Sequence, residues 1–143
     1  MDCCAQGFRV EQVYLNPSFT RLVPQGEEKG HSDLIEAFVE LRDQYGDPIK
    51  AAGRFRFEFY HCAVKASADI RGERFMILEA DLRNPEDNQF HWDKITRSYR
   101  ISRELPEKMK GLVLQVTFLD ERGYRIGNII ELGCKGAGPE KEG

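Results

Sequence analysis

The run Arg54-Phe55-Arg56-Phe57-Glu58-Phe59-Tyr60-His61 alternates without a break. In an extended chain, successive side chains point to opposite faces, so Phe55, Phe57 and Phe59 share one face. Arg54, Arg56, Glu58 and Tyr60 share the other. A helix would scatter the three phenylalanines around its circumference; a strand collects them. The segment therefore predicts a sheet with one buried face and one wet face, and the rest of the chain must supply the surface that covers the phenylalanines.

Other segments repeat the pattern with short gaps. Phe8 to Leu15 reads as a first strand, broken by Asn16-Pro17. The loop from there to Ser32 contains Pro24, Gly26 and Gly30, with Phe19, Leu22 and Val23 placed to pin part of it to the core. Leu34 to Asp43 has the composition of a helix, but its alternation of Ile35, Ala37, Val39 and Leu41 with Glu36, Phe38, Glu40 and Arg42 favours a strand. Arg74 to Arg83 alternates likewise, and Asn84 to Asn88 reads as a turn. Lys94 to Ser102 is expected to be a strand with Ile95, Tyr99 and Ile101 on one side. Leu112 to Leu119 and Tyr124 to Leu132 form a closing hairpin. The expected core is Val10, Ile35, Val39, Leu41, Phe55, Phe57, Phe59, Met76, Leu78, Leu82, Ile101, Leu112, Leu114, Val116 and Phe118.

Seven strands separated by turn signals predict an all-β chain folded as one antiparallel β-sandwich of about seven to eight strands. Residues 1–7 form a lead, 8–133 the sandwich and 134–143 a tail rich in glycine and charge. A short helix in one of the loops is compatible with this pattern. A chain of 143 residues buries about 68–70% of its unfolded surface, enough for a core without staples. Val39 to Ile49 also echoes Val116 to Ile126. Each reads strand, Asp-x-x-Gly, strand, which means two similar β-turns with Gly at the strained corner.

These Asp-x-x-Gly corners resemble those of bacterial immunoglobulin-like and transthyretin-like sandwich domains. So does the run Tyr99-Arg100-Ile101-Ser102, Leu105-Pro106-Glu107 and Gly111-Leu112-Val113-Leu114, which looks like their corner between late strands. The resemblance implies an immunoglobulin-like or transthyretin-like fold and a place in the cell envelope. Cys3-Cys4 in turn resembles the start of a mature bacterial lipoprotein, whose first residue is a lipid-modified Cys. It implies an anchor at Cys3, with Met1-Asp2 standing where a leader was removed. The other reading of the cysteines is a cytoplasmic chain with reduced thiols.

Charge and motif content narrow the function. The net charge is −3, with 21 basic and 24 acidic residues interspersed, and no Lys/Arg run of the kind that tracks phosphates is present. Nucleic acid is not an expected partner. No stretch approaches the ~20 apolar residues of a membrane span, so membrane attachment is expected only through the lipid. Without a C-x-x-C pair, zinc is not expected, and no metal or other cofactor is assigned. His61 and Cys62 are strand neighbours facing opposite ways, unsuited to a joint site; His31 and His91 are read as structural. The acidic stretch around Asn84 to Asn88, with Asp81 and Asp93, lacks the spacing of a calcium loop.

Phe90, His91 and Trp92 form the candidate partner- or ligand-binding cluster, because aromatic side chains in loops serve as anchors. They equally suit a plug at the end of a core. The expected function is a non-enzymatic protein-interaction or structural module of a bacterial envelope, in the periplasm or at the outer membrane, whose partner is another protein. The alternative is a carbohydrate-binding or calcium-dependent module.

Overall fold

The computed structural model describes residues 7–25, 33–64 and 68–134. The strands are β1 (Gln12–Leu15), β2 (Arg21–Val23), β3 (Leu34–Arg42), β4 (Pro48–Ile49), β5 (Gly53–Cys62), β6 (Arg71–Asp81), β7 (Trp92–Asp93), β8 (Ser98–Glu104), β9 (Leu112–Asp120) and β10 (Arg125–Leu132), with one helix, α1 (Pro85–His91), between β6 and β7. They build two antiparallel sheets around one core. In the six-stranded sheet the path runs β1-β3-β8-β7, with β2 and β4 also on β3; the four-stranded sheet runs β10-β9-β5-β6. Ten strands, rather than seven or eight, arise because the two- and three-residue pieces β2, β4 and β7 are too short to show a period.

β5 lies inside the four-stranded sheet, paired to β6 on one side and β9 on the other. Phe55, Phe57 and Phe59 are fully buried, each burial worth roughly 1.5–3 kcal/mol. Opposite them, β9 contributes Leu114, Val116 and Phe118 in register. Of the expected core only Met76 is not buried but packs, half-covered, at its margin. The reason is its place on β6, which has a neighbour on one side only.

Phe38 points out of the six-stranded sheet yet is buried. The segment 16–20 lies over it. Asn16 Oδ1 accepts from Ser18 N and Phe19 N, Phe19 sets its ring edge-on to Phe38 at 5.7 Å, and the Thr20 hydroxyl accepts from Phe38 N at 3.0 Å. Leu22 and Val23 continue from this loop as β2 against Ile35 and Leu34.

The two Asp-x-x-Gly corners are the same structure built twice. Asp43 Oδ1 accepts from Tyr45 N (2.8 Å) and Asp47 N (3.0 Å), and Asp120 Oδ1 accepts from Arg122 N (2.9 Å) and Tyr124 N (3.0 Å). Gly46 N and Gly123 N donate to the carbonyls of Asp43 and Asp120, each at 3.0 Å. Both glycines have positive φ, 85° and 93°, a conformation that costs a residue with a Cβ about 1–2 kcal/mol.

Two devices join what the ladders leave apart. β10 alternates, and Asn128 on its inward side would be a misplaced polar residue, except that its Oδ1 accepts from Leu15 N at 3.0 Å. It thereby seams β1 to β10 and satisfies a donor in a buried setting. At the opposite end, Cys62 on β5 and Cys134 after β10 form a disulfide, Cα to Cα 5.7 Å. Since β9 separates β5 from β10, the bond passes over the start of β9. Gly111 and Gly133 allow the close crossing: a Cβ on Gly111 would lie 2.5 Å from the Gly133 carbonyl carbon. Cys134, expected to begin a free tail, is thus fixed to the domain.

The expected first strand from Phe8 begins only at Gln12, because Arg9 N and the Gly7 carbonyl bond to the Gln44 side chain instead of a ladder. The sequence reading fails again at two adjacent places. The expected turn at Asn84 to Asn88 is the start of α1. The expected strand from Lys94 begins only at Ser98, because Asp93 Oδ1 accepts from Ile95 N and Thr96 N and bends residues 93–97 into a turn. Ile95, expected to face the core, is 92% exposed.

Asn128→Ala is expected to cost about 1–3 kcal/mol, by leaving the Leu15 amide unpaired, while Asn128→Asp retains an acceptor; urea unfolding of the two variants measures the difference. Reduction, or the double change Cys62→Ser with Cys134→Ser, is expected to cost about 2–4 kcal/mol, since the cross-link closes a long loop, 72 residues in sequence separation. Urea midpoints with and without reductant check it.

Candidate functional site

Asn84-Pro85-Glu86-Asp87 carries the signals of a helix start. Asn84 Oδ1 caps Glu86 N at 2.8 Å, Pro85 occupies the first turn, where its missing N–H is not needed, and Glu86 and Asp87 meet the positive end of the peptide dipoles. α1 is seven residues long, too short to hold itself together in water. Asn88 ties it down. Its Nδ2 donates to the carbonyls of Ala51 (2.8 Å) and Leu82 (3.0 Å), and its Oδ1 accepts from the Tyr99 hydroxyl at 2.8 Å. Ala51 N donates to that hydroxyl at 3.2 Å. Burial pushes the Tyr99 phenol above its ordinary pKa, against the bonds to Ala51 and Asn88, which pull it down.

The structure separates the three candidate aromatic residues. Trp92 faces inward, edge-on to Tyr99 at 5.1 Å. Tyr99 meets Phe55 at 5.7 Å, and Phe55 meets Phe118 at 5.1 Å. Trp92 is thus the outer ring of an aromatic column that runs into the core. Its remaining exposed surface is shared with Lys50, whose Nζ lies 5.2 Å from the ring centroid and donates to Gln89 Oε1 at 2.7 Å. His91 Nδ1 lies 3.2 Å from the Arg100 carbonyl oxygen, at the margin of β8. Phe90 alone projects outward, 81% exposed. Tyr99 is marked only by its alternation with Ile101, and Lys50 and Asn88 carry no local sequence signal, since they act through residues distant in the chain.

Phe90 has company. α1, the turn at 93–97, both Asp-x-x-Gly corners and the segment 7–11 lie at one end of the two sheets, where β3, β6 and β9 finish and β5, β8 and β10 begin. Phe8 sits edge-on to Tyr45 at 6.0 Å; Gln44 holds the segment in place, accepting from Arg9 N and donating to the Gly7 carbonyl. Five of the nine exposed large hydrophobic side chains among the described residues belong to this end: Phe8, Tyr45, Phe90, Ile95 and Tyr124. That concentration sets it apart from the opposite end, where Val64 and Ile70 flank the disulfide.

Of the acidic residues in and beside the Asn84 to Asn88 stretch, Asp81 and Asp93 are engaged within the chain. Asp81 makes a two-point contact with Arg83, at 2.9 and 2.7 Å, and Asp93 accepts from Ile95 N and Thr96 N. Among the described residues no group of three or more His, Cys, Asp or Glu is placed to hold a metal ion. Cys62 is bonded to Cys134, and His61 lies against Phe75 with ring centroids 4.7 Å apart. Cys3 and His31 lie outside the described residues. No described helix is long and apolar enough to cross a membrane. Comparison of the chain with protein-family models, curated proteins and solved structures finds no match.

Trp92→Ala is expected to lower stability by about 2–4 kcal/mol, as a truncated ring in a packed column. Phe90→Ala is expected to stay within ~0.5 kcal/mol of the parent. Parallel thermal melts of the two variants distinguish the plug from the outward-facing residue.

Proposed function

We propose that this chain is a non-enzymatic protein-interaction or structural module of a bacterial cell envelope, with an immunoglobulin-like or transthyretin-like arrangement of its two sheets. Its partner is another protein, and a lipid on Cys3 supplies the membrane attachment. The observation that carries the reading is the Cys62–Cys134 disulfide: such bonds persist in oxidising compartments, the bacterial periplasm among them, and are reduced in the cytoplasm. Support for the interaction comes from the crowded end of the sheets. Phe90 and Ile95 are carried on short, internally hydrogen-bonded elements, so a partner that covers them orders little chain in doing so. Aromatic side chains held in this way are the usual anchors of a protein interface.

The test is made in the native host. Cells are quenched in acid, free thiols alkylated, and the chain's intact mass measured. The expected result is an unalkylated Cys62–Cys134 pair, together with the mass of a diacyl or triacyl group on a chain beginning at Cys3. A fully alkylated pair on an unacylated chain would overturn the envelope reading. A photocrosslinking residue placed at Phe90 or Ile95 is expected to give one discrete protein adduct, absent when the same residue replaces Glu131 on the outer sheet face.

A further inference from the structure

The outer face of the four-stranded sheet can be read as rows of cross-strand partners. Arg125 on β10 stands opposite Leu119 on β9, and Leu119 stands opposite Arg54 on β5. Two arginines therefore flank one aliphatic residue across three adjacent strands, with Cα atoms about 10 Å apart given the ~4.8 Å strand spacing. In the next row Thr117 stands between Gly127 and Arg56. Gly127 presents no side chain there, and a Cβ at that position would lie 2.9 Å from the Val116 carbonyl oxygen. The face is consequently hollowed into a depression around Thr117 and Leu119, with Arg54, Arg56 and Arg125 on its walls.

The three arginines differ in how far their charge is already met. Arg56 is committed to Glu79 at 3.0 Å and Glu58 at 3.7 Å, and Glu58 is also held by Arg74 at 2.7 Å. Asp81 is the cross-strand partner of Arg54, but Arg83 grips it at two points and is the main reason its carboxyl pKa falls to about 2, with Arg54 the last of the contributors. Among the described residues neither Arg54 nor Arg125 has an ion-pair partner. Arg54 is thus only partly balanced by Asp81, Arg125 makes no ion pair among the described residues, and both line the depression beside the Thr117 hydroxyl.

We infer that this depression is an anion site, in which Arg54 and Arg125 close from either side on a carboxylate or phosphate group seated above Leu119, with the Thr117 hydroxyl as a third, neutral donor. Guanidinium groups suit such ligands because their planar forks donate in pairs to two oxygens of one group. Glu58 and Glu79 confine the ligand to the β9–β10 side. The site is separate from the end of the sheets proposed to meet a protein and does not depend on that proposal.

The experiment titrates the uniformly labelled full-length chain with inorganic phosphate and, separately, with succinate, at constant ionic strength set by chloride. Amide and arginine side-chain N–H signals are followed. The expected result is saturable shifts at Thr117, Leu119, Gly127, Arg54 and Arg125. Loss of a charge-assisted pair is worth about one to two decades of affinity, so Arg54→Ala and Arg125→Ala should each weaken binding roughly tenfold or more. Arg56→Gln should weaken it less, its guanidinium being already engaged. Both arginines of the proposed clamp are exposed, so the variants are expected to fold, which unchanged signals from Ile101 and Val39 verify. Saturation by phosphate alone assigns a phosphate site, and saturation by both ligands assigns a general oxyanion site. Linear shifts matching those in chloride, or equal affinity in parent and clamp variants, would overturn the inference.

Discussion

Phe55 touches rings from three directions: Phe57 on its own strand, Tyr99 across the core on β8, and Phe118 on neighbouring β9. The contact with Tyr99 is the one that couples the two sheets, because it joins β5 of one to β8 of the other. The helical part of the crowded end depends on it. Tyr99 carries Trp92 on its ring and Asn88 on its hydroxyl, Asn88 carries α1, and α1 carries Phe90. A side chain exposed to solvent is thus positioned through a chain of buried ones. Removing the Tyr99 ring would loosen a surface it never reaches.

What the sequence discloses here follows the range of the forces involved. The phenylalanines of β5 are legible because burial on one face of a strand writes a period of two directly into the chain. Both glycine corners are legible because their geometry is closed within five residues. α1 is not, since Asn84-Pro85-Glu86-Asp87-Asn88 opens a turn as readily as a helix, and what decides is Asn88 reaching Ala51 and Tyr99, 37 and 11 residues away. Ile95 and Thr96 look like strand residues by propensity, but the Asp93 carboxylate claims their amides first. The Cys62–Cys134 pairing exists because β5 and β10 flank the same strand, a fact of topology that spacing alone does not carry.

The candidate cluster divides in the same way. That Phe90, His91 and Trp92 adjoin a functional or structural landmark is visible in composition; that Trp92 belongs to the core and Phe90 to the surface depends on how α1 is docked. The arginines of the four-stranded sheet are visible as an outward-facing set in β5, but Arg125 joins them only through the register of β10 on β9. Rows that run across strands are unreadable along any one of them.

The disulfide also decides how the domain would bear load. A pull applied to the chain beyond residue 134 does not begin by unzipping β10 from β9, one ladder bond at a time. It enters the fold at Cys134 and passes covalently to Cys62, on a strand held on both sides by neighbours and beneath by its phenylalanines. The weakest direction of a hairpin at the end of a chain, peeling, is replaced by shear on β5, where many bonds must fail together. In an oxidising environment the last strand is an attachment point for force and no longer a place where unravelling starts.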